Sequence, residues 1–149
     1  MLPDENTADA PIDYASENID FELANEAAVT QWLLLLSESE DADIEALSYI
    51  FCDDEYLLQM NQEYLDHDTY TDVITFDYSE EEGIIEGDIF ISIDRIKENA
   101  EQLKVSFTDE LHRVMAHGLL HLLGYSDKTE EAQQEMRQKE DKCLSLRSF

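Results

Sequence analysis

From Phe107 to Asp127 the chain reads FTDELHRVMAHGLLHLLGYSD, and no other stretch restricts the fold as tightly. Leu111, Val114, Met115, Leu119 and Leu122 recur at i, i+3, i+4, i+8 and i+11, the stripe of a helix buried along one face. Thr108 is expected to cap this helix, with Asp109 and Glu110 in its first turn and Gly124 at its end. His117 and His121 stand four residues apart, so they lie about 40° from each other around the helix axis. Measured from Leu111 they fall near ~240° and ~280°, away from the centre of the apolar stripe.

Two imidazoles one turn apart can grip a single metal ion without any backbone rearrangement. Gly124 can turn the chain with φ > 0, and Asp127 then follows within reach of the same ion. The string H-x-x-x-H-x-x-G-x-x-D thus supplies three ligands from one short stretch and leaves a position for water. The competing reading is a pair of half-buried histidines bonded to backbone, with Gly124 as a plain helix stop. It leaves unexplained why both imidazoles sit off the stripe beside an oxygen donor.

Zinc peptidases place a general base in H-E-x-x-H, and here that position is Gly118. Protease chemistry loses its main argument, and the glycine is expected to let substrate or backbone approach the metal. His112 lies about 140° from His117 around the helix and is not expected to be a ligand. Glu110 falls on the histidine face two turns below, as a residue of the rim or one that supports the ligands from behind, against a solvated first-turn acid.

The rest of the chain supplies a sheet for this helix to pack on. Helices are expected over 24–36, 56–65, from Asp94 to about Leu103, and from Glu130 to about Leu144. Strands are expected over 44–52, 72–78 and 89–93, the last starting from Gly87-Asp88. Residues 1 to 13 hold both prolines and show no periodicity, which reads as an acidic flexible tail before a single domain over 14–149. The class is α+β, a small mixed sheet packed with helices.

Charge and composition narrow the function classes. Apolar residues make up 43 %, enough for an ordinary core, yet the longest apolar run is only Trp32 to Leu36, far short of a membrane span. The N-terminus lacks a cationic and apolar leader, and two cysteines make no disulfide framework, so a cytoplasmic protein is expected. The net charge is −28, and the first cation in the sequence is Arg95. DNA and other polyanions held by a basic surface are excluded as the natural ligand of residues 1 to 94. An anionic partner must approach the last third of the chain or a bound cation. So acidic a surface fits adaptation to high salt, where the Debye length shrinks to about 3 Å at about 1 M.

HGLLHLLGYSD resembles the signature H-G-x-L-H-L-x-G-Y-D-H of the YbeY family of metal-dependent endoribonucleases. MNQEYLDHDTYTDVITFDY is similar to the family's L-N-x-x-Y-R-x-K-D-x-P-T-D-V-L-S-F, and GDIFIS to its G-D-I-x-I-S, in the family's order over about residues 44 to 127. The resemblance implies a zincin-like fold and one divalent metal ion, usually Zn2+, held by His117, His121 and Asp127. It implies a single-strand-specific endoribonuclease acting in 16S rRNA 3′ end maturation and ribosome quality control. Single-stranded or ribosomal RNA and ribosomal small-subunit proteins would be its partners.

The sequence departs from the family at the third ligand, normally His and here Asp127, which suits zinc and moves preference toward Mn or Mg. The family's cleft Arg falls on Leu65, its Lys on His67 and its Pro on Tyr70. No catalytic group is assigned beyond the metal, although a protonated His67 is a candidate phosphate contact. Asp72 and Asp88 match family positions, and Arg95 and Lys97 follow the GDIFIS block as further phosphate candidates. The lost Arg favours an alternative, a ribosome-assembly or protein-binding factor whose metal is structural.

Overall fold

The computed structural model describes residues 11–64 and 71–149. In chain order the elements are β1 (Ile12–Glu17), α1 (Glu26–Ser39), β2 (Asp43–Cys52), α2 (Asp54–Tyr64) and β3 (Val73–Asp77). They continue with β4 (Ile84–Ser92), α3 (Ile93–Leu103), α4 (Phe107–Leu122) and α5 (Glu130–Ser145). The sheet order is β1-β2-β4-β3, with β2 parallel to both neighbours and β3 antiparallel to β4. This is the α+β class with a small mixed sheet that the hydrophobic pattern implies.

Alternation along the two central strands decides which face is buried. Leu47, Tyr49 and Phe51 of β2, with Ile85, Ile89 and Ile91 of β4, point to one face, where α1, α4 and α5 cover them. Cys52 and Ile74 join Leu57 of α2 in a smaller cluster on the other face. Each fully buried Leu or Ile contributes about 1.5–3 kcal/mol. Two buried hydrogen bonds fix the helices on this layer. The Tyr49 hydroxyl donates to the Met115 carbonyl (2.9 Å), and Trp32 Nε1–H donates to the Cys143 carbonyl (2.7 Å).

Several local expectations are corrected. β1 was not legible from the sequence, and its first two residues lie within the segment read as tail; residues 1–10 fall outside the described residues. β4 is longer than expected and ends at Ser92, whose hydroxyl accepts from the Arg95 N–H and so begins α3 one residue early. The cap of α4 is Ser106 rather than Thr108: its hydroxyl accepts from the Asp109 N–H at 3.0 Å. Gly118 faces the sheet, where a Cβ would sit 2.8 Å from Ile89 Cγ2. Its role is to let α4 lie close on β4, and it opens no approach to the histidines.

His112 lies on the buried side of α4, between the Trp32 ring (5.4 Å) and the Phe149 ring (5.5 Å). Arg147 Nη1 donates to its Nδ1 at 2.9 Å, so the neutral ring carries its proton on Nε2. Burial, then the Arg147 charge, lower its pKa from 6.5 to about 4 against a pull upward from Asp109. A histidine with a depressed folded pKa stabilises fully above pH 6.5 and loses that contribution as pH falls toward about 4, on the order of 3 kcal/mol in all. The carboxyls of Glu110 and Asp72, raised by burial, act with the opposite sign, so the readout is a difference between proteins. Denaturant unfolding from pH 7 to 4 is expected to show a shallower pH dependence for His112→Gln than for wild type. Parallel curves would contradict this.

Candidate metal centre

The end of α4 builds the site. Gly124 adopts φ +107, its N–H donates to the His121 carbonyl (3.0 Å), and the Tyr125 N–H donates to the Leu120 carbonyl (3.0 Å). These are the two bonds of a Schellman cap, and they fold the chain back under the last turn. The Tyr125 carbonyl thereby meets His121 Nδ1 at 3.0 Å. A carbonyl only accepts, so His121 carries its proton on Nδ1 and presents a bare Nε2. The loop is pinned from outside by Glu40, which accepts from the Tyr125 hydroxyl (2.6 Å) and from Lys139 Nζ (3.0 Å).

His117 is held the same way by a different element. Its Nδ1 donates to Glu140 Oε2 at 2.6 Å, and Glu140 Oε1 accepts from Arg113 Nη1 at 3.0 Å. Arg113 also pairs with Asp141 at 2.7 Å, so two residues of α4 and two of α5 form one network. The two Nε2 atoms therefore point at each other, 3.0 Å apart. Asp127 Oδ2 completes the group, 3.3 Å from His121 Nε2 and 3.6 Å from His117 Nε2.

Two neutral imidazole lone pairs facing one another beside a carboxylate repel unless a cation lies among them. A proton is one such cation. Burial works against the His117 imidazolium, but Glu140, Asp127 and Asp72 outweigh it and raise its pKa above the ordinary value. A divalent metal ion is the other. Bonds of about 2.0–2.1 Å in a tetrahedron set ligand atoms about 3.3 Å apart, and the three separations here bracket that value. Among the described residues these three form the one group of His, Cys, Asp and Glu able to hold a metal ion. The donor set, two nitrogens and one oxygen, fits a divalent transition metal.

A cleft of about 300 Å³ opens over these atoms, walled by residues 71–75 on one side and by His117, His121 and Asp127 on the other. Asp72 lines it, and burial raises its pKa. Glu110 is neither a rim residue nor a solvated acid: it is buried, 5 % exposed, and burial followed by the Asp72 charge raises its pKa. Asp88 lies elsewhere, accepting from the Tyr78 hydroxyl at 3.1 Å. Arg95 is paired with Asp54 (3.1 Å) and Glu98, and neither it nor Lys97 lines the cleft. His67, with Leu65 and Tyr70, lies outside the described residues.

Glu140 escaped the sequence reading because α5 is crowded with acids. A signal existed: Met136, Glu140 and Cys143 follow i, i+4, i+7, and all three are buried, so an acid occupies the apolar register. Asn99 is a smaller omission; its Nδ2 donates to Asp72 at 3.4 Å.

Residues 11–147 match the protein family described as Endoribonuclease YbeY. A curated relative of that name from Cytophaga hutchinsonii is 56 % identical over 136 residues, covering 91 % of this chain and 95 % of the relative. Another from Flavobacterium psychrophilum, with the same name, is 52 % identical over 128 residues, 86 % of this chain and 91 % of its own. The solution structure of a Thermotoga maritima protein matches with a TM-score of 0.64 at 26 % identity, covering 91 % of this chain and 87 % of that one.

The carboxylate behind His117 yields a direct expectation. Glu140→Gln keeps the shape and removes the charge that fixes the Nδ1 proton, so divalent-ion affinity is expected to fall about 10- to 100-fold. Competition with a chromophoric chelator measures it, and unchanged affinity in a folded variant would contradict the role given to Glu140.

Proposed function

The chain belongs to the YbeY family, and from that premise we propose that it is a metal-dependent endoribonuclease that cuts single-stranded RNA. His117, His121 and Asp127 hold one divalent cation, with zinc the ion best suited to the two imidazole nitrogens. The observation that carries this reading is the meeting of two bare Nε2 atoms and a carboxylate oxygen at the floor of an open cleft. The hydrolase domain includes β1 and so starts at Ile12 rather than at residue 14. The setting we propose is the cytoplasm, the process 16S rRNA 3′ end maturation and ribosome quality control, and the partners ribosomal small-subunit proteins.

A bound divalent cation supplies Lewis acidity, polarising a phosphoryl oxygen and making water nucleophilic at neutral pH. The chain's own residues prepare the place for it. Glu140 and the Tyr125 carbonyl keep the Nδ1 protons in place, so both Nε2 lone pairs stay aimed at one point without reorganising. Arg113 balances the buried Glu140 charge, which unbalanced would raise the His117 pKa further and favour an imidazolium with no lone pair to give a cation. Val73 and Thr75 of β3 form the opposite wall and narrow the space left to bulk water.

Among the described residues no Lys or Arg lines this cleft, and that observation favours the second reading, an assembly or protein-binding factor with a structural ion. One set of measurements separates the two. Zinc-loaded protein is expected to cleave a single-stranded RNA oligonucleotide but not a duplex, to lose activity in EDTA and to regain it with metal. His121→Ala is expected to lose at least about 100-fold in kcat/KM, equivalent to about 2.7 kcal/mol. Full metal occupancy with no cleavage, unaffected by His117→Ala, would replace the enzyme with the binding factor.

A further inference from the structure

We propose that the open edge of β3 is the RNA rail of this cleft: the Thr75 N–H and C=O, with the Val73 C=O, hydrogen-bond the edge of one nucleobase beside the metal centre. The proposal rests on the endoribonuclease reading and supplies what that reading lacks, a way to hold an RNA strand without a Lys or Arg in the cleft.

Among the described residues β3 is the last strand of the sheet and pairs only with β4. Its bonds to β4 fall on even-numbered residues: the Ser92 N–H donates to the Asp72 carbonyl (3.0 Å), and the Tyr78 N–H donates to the Glu86 carbonyl (2.8 Å). In an antiparallel pair, the residues between those positions turn their backbone groups the other way. Val73 and Thr75 therefore point their polar backbone off the open edge. The Val73 N–H is already engaged by the Asp72 carboxylate, which leaves Thr75 N–H as the edge donor.

The cleft follows that edge. Residues 71–75 all line it, although side chains along a strand alternate between faces, so the cavity runs beside the backbone itself. The remaining wall is His117, His121 and Asp127.

The chemistry of this edge selects its ligand. Carbonyl oxygens alternate with the donor, and Asp72 and Asp127 add two carboxylates, so a row of phosphates would be repelled. A nucleobase edge carries donors and acceptors side by side and matches an N–H and C=O from one residue. That edge is free only in a single strand. An extended peptide also adds to open sheet edges. The glycine at position 118, packed on Ile89, leaves no acid where zinc peptidases keep their base, and this favours RNA.

The test uses the zinc-loaded full chain and a fluorescein-labelled, mixed-sequence 12-nucleotide single-stranded RNA, read by anisotropy with cleavage followed in parallel. Thr75→Pro deletes the N–H without costing a bond to β4, and an amide-to-ester replacement at position 75 does so while keeping the side chain. Both are expected to weaken Kd about tenfold, whereas Thr75→Val, which keeps the amide, stays within about twofold. The wild-type salt dependence of log Kd is expected to be shallow, a slope of magnitude below about 1.5, because few phosphates are held. Unchanged Kd in the ester variant, a slope steeper than about 3, or displacement of the RNA by an extended neutral peptide would overturn the rail. Cleavage by the wild type reports separately on the endoribonuclease reading, since the binding comparison stands whether or not the strand is cut.

Discussion

Everything at this site depends on where two protons sit. The Tyr125 carbonyl and the Glu140 carboxylate each claim the Nδ1 hydrogen of one imidazole, and so each ring offers its lone pair to the same point. Metal affinity at a histidine site is set as much by such outer partners as by the ligands themselves. Here the partners come from two places in the chain, the loop after α4 and the middle of α5. The C-terminal helix is thus part of the centre, although it contributes no ligand.

The fold explains how so small a network stays in register. α4 lies flat on β4 because Gly118 has no side chain to hold it off, and the Tyr49 hydroxyl anchors the carbonyl of Met115, just before the first histidine. The Schellman cap then returns the chain at Gly124, where φ of +107 would strain any other residue. Glu40 clamps Tyr125 and Lys139 together, joining α1 to the loop and to α5. Both cysteines are buried, with thiol pKa values pushed up by burial to about 12 (Cys52) and about 11 (Cys143), so neither offers a thiolate to compete for a metal.

The helix carrying the histidines was legible because its apolar stripe is long and regular, and periodicity is a local property. Gly124 and Asp127 were legible for the same reason, as turn chemistry a fixed distance beyond the stripe. β1 was not: IDYASE is short, holds two acids, and becomes a strand only by pairing in parallel with β2, a non-local contact. Thr108 and Ser106 are both acceptable caps, and backbone geometry chooses between them. Gly118 was misjudged because helical angle alone says which way a residue points and nothing of how close the sheet beneath it lies. Glu140 looks like its many acidic neighbours until α5 is docked, when the Met136–Glu140–Cys143 register turns it inward.

The central claim is that three side chains converge on one cation, and X-ray absorption at the zinc edge of metal-loaded protein tests it most directly. The account predicts one zinc per chain, with multiple-scattering features of two imidazoles, nitrogen and oxygen neighbours at about 2.0–2.1 Å, and no sulfur. A shell made only of oxygen, or one containing sulfur, would contradict it.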